Sequence, residues 1–338
     1  MLKAAIIGYG GISGAHEKGY VKLESDGLVK LCAVCDIRAD ARETRKKINI
    51  DENLAVKAAD FRFYTDLDEM LANEELDFVD ICVPSYLHKE ISIKLLDKDI
   101  NVLCEKPMAL TGADCDEMLE AEKRSGKHFM IAQVLRFAPE YEFLKNCIDD
   151  GRFGKVLAAY FERNSAQPLW GFENWYLDYN RCGGGITDIH IHDVDVVRYL
   201  FGEPDAVSCR ASDCHTKYDI VQTDLYYEKT PITAHGGWSG GRIKFAASYK
   251  VDFEKASVLY EGGKVTVYPS DVEQEPFTPE FSGYGWYTGE IAFFCDVVAG
   301  RVVNTKNPAS SAANTVRLVE SMKRSADMGG AIVKFDRR

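Results

Sequence analysis

The chain has 338 residues, of which 46% are hydrophobic and 28% charged, as in an ordinary soluble globular protein. This length suggests two domains and allows a sizeable core. The 53 acidic residues outnumber the 41 Lys and Arg residues, and the formal net charge of −12 argues against nucleic acid and anionic membrane as partners. We find no apolar run of the roughly 18 residues that a membrane span needs, and we expect no signal peptide because the N-terminus enters a strand at once.

The ten cysteines are scattered and lie inside apolar runs, as at Cys82, Cys104 and Cys295. Free cysteine behaves as a small buried hydrophobe, so the pattern predicts a reduced, cytoplasmic protein. Cys32 and Cys35 form a C-x-x-C on a predicted strand, where their odd spacing places them on opposite faces. This spacing argues against a redox or zinc site.

A glycine-rich turn near the N-terminus joins an apolar strand, Ala4–Ile7, to a helix. Gly8 permits the tight turn, and Gly10 lets the backbone approach a pyrophosphate closely. The helix that opens near Gly11–Ser13 points its free N–H groups and positive dipole end at that phosphate. Because Ser13 replaces the third glycine of the fingerprint, we expect the helix to sit slightly further from the strand.

An acidic residue, Asp36, ends the second apolar run, Leu28–Cys35, and lies 28 residues beyond Gly8. A dinucleotide-binding unit carries at this place the acid that accepts hydrogen bonds from the adenosine ribose. The turn and the acid together predict NAD as the cofactor. Arg38, two residues on, would offset part of the repulsion between Asp36 and a 2′-phosphate, so NADP stays open.

The first third of the chain alternates apolar runs with helical stretches, which predicts a doubly wound parallel sheet of the Rossmann type. Further strands are predicted at Phe78–Val83, Asn101–Cys104 and His128–Ala132. Helices are predicted at Ala39–Ile48, from a capping box at Thr65–Asp68, at Tyr86–Asp97, and at Thr111–Ser125 with Gly126 as its stop.

From about residue 155 the pattern changes to long alternating segments, which predict a large, mostly antiparallel open sheet in an α/β domain. These segments are Val156–Phe161, Ile220–Tyr227, Ile243–Phe253 and Val258–Val267. Helices are predicted at Gly185–Phe201, Tyr287–Val298 and after Pro308. We therefore predict a dinucleotide-binding domain at residues 1–133 and a substrate-binding and oligomerisation domain at residues 134–338.

Two segments carry side chains suited to chemistry. Glu105-Lys106-Pro107 follows a strand at the carboxyl edge, where open α/β sheets bind ligands, and Pro107 keeps Lys106 out of a helix. The second segment begins with the glycine run 183–185, whose backbone freedom allows close approach to a ligand.

The predicted helix after the glycine run carries Asp188 and His192 four residues apart on one face, with Asp195 one turn on. An imidazole beside a carboxylate is a plausible general base. His190-x-His192 could instead be a metal-ligand pair, because two such histidines share a face on a strand. On a helix they lie about 200° apart, so the helical pattern favours no metal.

Together these motifs resemble the Gfo/Idh/MocA family (glucose–fructose oxidoreductase, inositol dehydrogenase, MocA), over nearly the whole length. The resemblance rests on Gly8–Ser13, Asp36, Pro84–His88, Glu105–Pro107, Arg136–Phe137, Asn174–Trp175, Asp178, the glycine run, Asp188 and His192. Three positions depart from it: Ser13, Tyr179 where many relatives have proline, and His190 where many have glycine.

The resemblance implies a catalytic group of Lys106, Asp188 and His192, which would also contact substrate together with Arg163 and Trp175. It implies that NAD(P) is bound by Gly8, Gly10, Gly11, Ile12, Asp36, Arg38, Pro84, Ser85, His88, Glu105 and Lys106. Arg136 and Arg163 could equally be ion-pair partners. Four aromatic residues could stack on a sugar or simply pack: Trp170, Trp175, Tyr176 and Tyr179.

The expected activity is NAD(P)-dependent oxidation of a secondary alcohol of a sugar, cyclitol or related polyol, without a metal. His192 would take the hydroxyl proton, Lys106 would stabilise the developing negative charge, and Asp188 would orient the group. Two rivals remain: a glycosidase that uses tightly bound NAD by transient oxidation, and a non-catalytic sugar or nucleotide sensor. We expect a homo-oligomer, a dimer or tetramer.

Overall fold

A computed structural model describes residues 1–45 and 60–336. A six-stranded sheet forms from the first part of the chain in the order β3-β2-β1-β4-β5-β6, and every pairing in it is parallel. This order is that of a dinucleotide-binding sheet, which confirms the predicted Rossmann architecture. Its strands are β1 (Leu2–Ile7), β2 (Val29–Cys35), β3 (Arg62–Tyr64), β4 (Phe78–Ile81), β5 (Asn101–Glu105) and β6 (Phe129–Ala132).

The helices of this sheet begin and end largely where local signals predict. They are α1 (Ser13–Ser25), α2 (Ala41–Thr44), α3 (Leu67–Asn73), α4 (His88–Leu96, after a 3₁₀ turn at Ser85–Leu87) and α5 (Gly112–Ser125). Thr111 caps α5 by accepting a hydrogen bond from the Asp114 N–H, and Gly126 ends it in the left-handed region at φ 65°.

Two of these helices begin later in the sequence than predicted. The cap of α3 is Asp66 rather than Thr65, because the Asp66 carboxylate accepts the Glu69 N–H at 2.8 Å. The helix predicted at Ala39–Ile48 is too long, because the observed helix begins at Ala41 and ends at Thr44; residues 46–48 of the predicted range lie outside the described residues.

The second sheet has eight strands in the order β13-β12-β11-β7-β10-β9-β8-β14. Only β7 and β10 pair in parallel, so the mostly antiparallel prediction is confirmed. Its strands are β7 (Val156–Ala166), β8 (Ala206–Ser212), β9 (Ile220–Tyr226), β10 (Pro231–Ser239), β11 (Ala246–Phe253), β12 (Ala256–Glu261), β13 (Lys264–Pro269) and β14 (Val333–Lys334).

The continuous strand predicted at Val258–Val267 is wrong, because Gly262 and Gly263 turn the chain into the hairpin of β12 and β13. The long helix predicted at Gly185–Phe201 is also wrong. It is two helices, α8 (Gly185–Asp188) and α9 (Ile191–Phe201), separated at Ile189 and His190. The other helices are α6 (Pro139–Asp149), α7 (Tyr179–Cys182), α10 (Trp286–Val298) and α11 (Ala309–Asp327), with 3₁₀ turns at Val134–Phe137 and Phe172–Leu177.

Helices from the end of the chain pack back on the parallel sheet and so close one side of the cleft described below. Phe294 of α10 meets Phe78 of β4 edge to face, with ring centroids 5.2 Å apart. On α11, Glu320 accepts the Gly112 N–H at 3.0 Å, and Arg317 pairs with Asp116. None of the helices in the described part of the chain is both long and apolar enough to cross a membrane.

Candidate active site

A cavity of about 720 Å³ follows the carboxyl edge of the parallel sheet, where such sheets bind ligands. The glycine turn and the loops after β2, β4 and β5 form one wall. The opposite wall comes from the second half of the chain, with the 3₁₀ turn at Phe172–Leu177, Asp188 and His192. The cavity therefore brings together the two motif groups that the sequence singles out.

The glycine turn has the geometry that a pyrophosphate requires. Gly8 has φ 88°, and a Cβ there would lie 2.8 Å from the backbone of Cys82, so only glycine fits. A Cβ on Gly10 would meet open space, which leaves room at the cavity wall beside the start of α1. Ser13 is buried and donates a hydrogen bond to the Gly10 carbonyl at 2.7 Å, bracing the turn at the place of the third glycine of the dinucleotide-binding fingerprint. Gly11 and Ile12 also line the cavity.

We predict that Gly10→Val abolishes NAD binding without unfolding the protein, because the branched side chain fills the space that the pyrophosphate needs. Gly241→Val is the matched control, since Gly241 also has open space around its missing Cβ and lies outside the cavity. Calorimetry measures the affinities, and circular dichroism checks the fold. Equal NAD affinity in both variants would contradict the assignment of this turn.

Asp36 is buried at the cavity wall, and each of its oxygens is held. Oδ2 accepts the Tyr9 N–H at 2.7 Å, and Oδ1 accepts the Arg38 N–H at 2.9 Å and its Nε at 3.0 Å. The Arg38 guanidinium lies 5.4 Å from the ring centroid of Phe172, across the cleft. Arg38 is thus folded back on Asp36, and its hydrogen bonds to that carboxylate raise the pKa of Arg38.

The residues after β4 that are predicted to bind the cofactor lie in different surroundings. Pro84 and Ser85 line the cavity, but His88 does not. The His88 ring lies 2.7 Å from the Pro107 carbonyl through Nδ1 and 3.0 Å from the Val83 carbonyl through Nε2. Burial lowers the pKa of His88. His88 therefore ties together the loops that follow β4 and β5.

Lys106 and Asp188 meet directly, although they are far apart in the sequence. Lys106 Nζ donates to the Asp188 backbone carbonyl at 2.6 Å and to Asp188 Oδ1 at 3.1 Å. Their side chains are 13% and 16% exposed, so both remain accessible from the cavity. In a continuous helix the Asp188 carbonyl would accept the His192 N–H. That N–H bonds to Ile189 instead, and the break leaves the Asp188 carbonyl free for Lys106.

His192 lines the same cavity, and its Nδ1 is buried without a hydrogen-bond partner among the described residues. Burial, reinforced by the positive charges of Lys106 and Arg163, lowers the pKa of His192 well below its ordinary value. The imidazole is therefore neutral near pH 7, which is the state that can accept a proton.

Two polar residues near His192, His190 just before α9 and Asp195 within α9, turn away from this group. His190 is buried with its Nε2 3.0 Å from Thr223 Oγ1 on β9, and burial lowers its pKa to about 3. His190 and His192 thus face different surroundings, which argues against the metal-ligand pair. The expectation that Asp195 joins Asp188 and His192 is wrong, because Asp195 accepts two hydrogen bonds from the buried Arg136, at 2.7 and 2.8 Å.

Arg163 lines the cavity and is also an ion-pair partner. Its Nε donates to Asp193 Oδ2 at 2.8 Å, and a terminal nitrogen donates to the Tyr141 hydroxyl at 2.9 Å. Arg136 lies outside the cavity lining.

The aromatic side chains form a packed cluster that borders the cavity. Trp175 stacks on Tyr176 with ring centroids 3.9 Å apart, and Trp170 and Trp238 meet the Tyr176 ring edge to face. Tyr179 is not part of the lining and packs against Tyr218 instead.

The glycine run approaches the protein's own backbone, whereas the sequence analysis predicts that it approaches a ligand. A Cβ on Gly184 would lie 2.0 Å from the Lys217 carbonyl, so the close approach is to the loop between β8 and β9. Sequence reasoning also missed several aromatic residues of the lining, among them Trp238, Phe245, Trp286 and Tyr287. No local pattern marks them, because they reach the cavity from β10, from the loop before β11 and from α10, which are distant in the sequence from the predicted motifs.

The parallel sheet, the glycine turn at its carboxyl edge and the acid after β2 define a dinucleotide-binding protein. Residues 2–133 match the family model of the oxidoreductase family with an NAD-binding Rossmann fold, and residues 141–258 match the GFO/IDH/MocA C-terminal domain. The chain therefore belongs to the Gfo/Idh/MocA family, as the resemblance predicted, and its cofactor is NAD.

Several curated relatives match part of the chain. It is 38% identical over 138 residues to a 2,7-anhydro-N-acetylneuraminate hydratase of Mediterraneibacter gnavus, covering 41% of the chain and 37% of that protein. It is 30% identical over 203 residues to an inositol 2-dehydrogenase of Salmonella typhimurium, covering 60% and 55%. It is 30% identical over 213 residues to a D-glucoside 3-dehydrogenase of Escherichia coli, covering 62% and 57%. The matches thus span between about a third and three fifths of these relatives' own length.

Among solved structures, a levoglucosan dehydrogenase in complex with NADH and L-sorbose superimposes with a TM-score of 0.83 over 100% of this chain and 99% of that one. The sequence identity is 19%, so this similarity concerns the fold.

Proposed function

We propose that this protein is an NAD-dependent dehydrogenase that oxidises a secondary alcohol of a sugar, cyclitol or related polyol. The observation that carries the proposal is the convergence of Lys106, Asp188 and neutral His192 on the cavity that the glycine turn also lines. The curated relatives named inositol 2-dehydrogenase and D-glucoside 3-dehydrogenase support this substrate class.

The residues of the cavity fit NAD. Gly10 leaves open space at the start of α1 for the pyrophosphate, and Asp36 lies where the adenosine ribose would bind. Gly8, Gly11 and Ile12 would complete the pyrophosphate site. The loop residues Pro84, Ser85, Glu105 and Lys106 would border the nicotinamide end, with His88 supporting their loops. When bound, NAD supplies the hydride acceptor.

The protein's own groups provide the remaining chemistry. His192 is neutral and accepts the proton of the substrate hydroxyl. Lys106 donates a hydrogen bond to the same oxygen and stabilises the negative charge that develops on it. Asp188 fixes the Lys106 ammonium by its carbonyl and its carboxylate, so that the donor is oriented before substrate arrives. The aromatic cluster at Trp175 offers an apolar face for a sugar ring.

A spectrophotometric screen of sugars and polyols with NAD tests this function. We expect NADH to accumulate with at least one member of the panel. A panel that produces no NADH, while the protein binds both cofactor and sugar, would contradict a dehydrogenase and favour the sensor.

We predict that NAD is preferred over NADP. A 2′-phosphate would face the Asp36 carboxylate, and two unit charges about 4 Å apart at an effective dielectric near 20 repel by roughly 4 kcal/mol, which solvent reduces severalfold. Arg38 pairs with Asp36 and offsets part of this repulsion, but its guanidinium is held at that carboxylate and does not face the 2′-phosphate. About 1 kcal/mol of repulsion would remain, so the ratio of kcat/KM for the two cofactors should favour NAD by roughly fivefold.

Asp36→Ala should reduce the preference for NAD. Asp40→Ala removes an exposed carboxylate four residues away and should leave that preference unchanged. Equal kcat/KM values for both cofactors in the unmodified protein would mean that Arg38 turns to the 2′-phosphate instead.

A second candidate function is a conversion without net redox change. The relative named as a hydratase is 38% identical over its matched part, and hydration leaves the oxidation level of the whole substrate unchanged. A glycosidase assisted by transient oxidation belongs to the same class. Product formation without accumulation of NADH distinguishes this class from the dehydrogenase.

A further inference from the structure

Behind the cavity wall, a fully buried histidine of α1, His16, lies between two acids. Its Nδ1 is 2.7 Å from Asp80 Oδ2 on β4, and its Nε2 is 2.9 Å from Glu105 Oε1 at the end of β5. Carboxylate oxygens only accept hydrogen bonds, so both ring nitrogens donate and the ring is an imidazolium. Burial is the largest single effect and would lower the pKa of His16. The attraction to Asp80, the hydrogen bond to Asp80 and smaller contributions from Cys82 together raise the pKa well above its ordinary value.

Both acids accept further hydrogen bonds. Asp80 also accepts from the Tyr20 hydroxyl at 3.0 Å and from the Cys82 thiol at 3.7 Å. Glu105 Oε2 accepts the Lys106 N–H at 3.0 Å. Burial would raise the pKa of Glu105, but its hydrogen bond to His16 and the attraction of His16 and Lys106 lower it overall.

Helix α10 covers the group from the other side. The Tyr287 ring lies 5.3 Å from the His16 ring and also lines the cavity. Both carboxylate oxygens of Glu290 are buried without a hydrogen-bond partner among the described residues, and burial raises its pKa well above its ordinary value. Burial likewise raises the pKa of the Cys82 thiol to about 12. Glu290 and Cys82 are therefore neutral, and the charges of the group are those of His16, Asp80 and Glu105.

The same atoms do not form a metal site. The ligand atoms of His16, Asp80 and Cys82 lie within 4.8 Å of one another. However, the 2.7 Å between His16 Nδ1 and Asp80 Oδ2 is a direct hydrogen bond. Two ligands about 2.0 Å from one tetrahedral zinc ion would be about 3.3 Å apart. An ion-pair network explains the geometry without an ion.

Of the three charged residues, Glu105 is the one that lines the cavity. It stands next to Lys106, where the proposed function puts the nicotinamide end, and the inference below rests on that placement. The nicotinamide ring is cationic in NAD⁺ and neutral in NADH. A fixed negative charge at this wall therefore discriminates between the two forms by their charge alone.

We propose that His16 is a positioning residue that holds Glu105 anionic at the cavity wall, and that this charge makes the protein bind NAD⁺ in preference to NADH. His16 acts from behind Glu105 and touches neither cofactor nor substrate.

The test measures the dissociation constants of NAD⁺ and NADH separately, without substrate, between pH 6 and 9. In the unmodified protein we expect the ratio Kd(NADH)/Kd(NAD⁺) to stay nearly constant, because Glu105 remains ionised throughout this range. In His16→Gln the carboxyl of Glu105 loses its buried cation, and burial then raises its pKa. The ratio should fall about tenfold at pH 6 and recover as the pH rises, since Glu105 ionises again.

Glu105→Gln removes the charge itself and leaves His16 paired with Asp80. It should lower the ratio at every pH, which keeps the test valid if His16→Gln folds poorly. His190→Gln is the matched control, because His190 is also buried but bonds to Thr223 outside the cavity. Its ratio should equal that of the unmodified protein.

If the role of His16 is purely structural, His16→Gln should weaken the binding of NAD⁺ and of NADH equally. A ratio Kd(NADH)/Kd(NAD⁺) that stays unchanged in His16→Gln and Glu105→Gln would overturn the inference. Failure of the unmodified protein to bind either form would instead contradict the proposed function, and the inference with it. The two failures are therefore distinguishable.

Discussion

Replacing His192 by alanine is expected to lower turnover by about 10²–10⁴-fold, the usual contribution of general-base catalysis, with NAD affinity nearly unchanged. The reason lies in its protonation state: burial and the nearby charges of Lys106 and Arg163 keep the imidazole neutral and ready to accept a proton. Steady-state kinetics with a substrate from the polyol screen, together with calorimetric titration of NAD, separates the two effects.

His190→Ala is the matched control, because it removes a histidine two residues away that bonds to Thr223 and does not line the cavity. Its effect on kcat should be much milder. If His190→Ala were as damaging as His192→Ala, and added zinc restored activity to the chelated unmodified protein, a metal site would replace the hydride-transfer account.

Replacing Lys106 by methionine should reduce kcat by about 10²–10³-fold, as expected when a donor to a developing oxyanion is lost. Methionine keeps much of the apolar stem but cannot donate to the reacting oxygen or to Asp188. Lys89→Met is the control, since Lys89 also pairs with acids, Asp114 and Glu117, outside the cavity. An unchanged kcat in Lys106→Met, or an equal loss in both variants, would contradict the role of the ammonium.

The parts of the fold that local chemistry determines could be predicted from the sequence. The apolar strand before Gly8, and the cap and stop of α5 at Thr111 and Gly126, show patterns that neighbouring residues set. Strand β10 was missed because Pro231 and the pair at 236–237 have low strand propensity. Its place between β7 and β9 is set by tertiary pairing.

The break between α8 and α9 has a similar cause. The hydrophobic periodicity of residues 186–200 predicts one helix. However, Lys106 donates a hydrogen bond to the Asp188 carbonyl, and His190 hydrogen-bonds to Thr223. Both contacts come from other elements, so no local pattern reports them. The break also leaves the Asp188 carbonyl available to Lys106.

For the site, the sequence could name Lys106, Asp188 and His192 but not their surroundings. The partner of Asp195 is Arg136, 59 residues away, and His16 is separated from Asp80 and Glu105 by 64 and 89 residues. Charge compensation in a core depends on such distant pairs. Only a three-dimensional structure identifies which charges are balanced and which face the cavity.

Transfer of hydride from the substrate to NAD can be tested most directly with a deuterium label. A substrate from the polyol screen is labelled at the carbon that bears the reacting hydroxyl, and the cofactor is analysed by mass spectrometry after turnover with NAD. The account predicts that NADH accumulates in step with the oxidised product and carries the deuterium. Product that forms while free NAD stays unlabelled and unreduced would contradict it, and would show a reaction without net redox change.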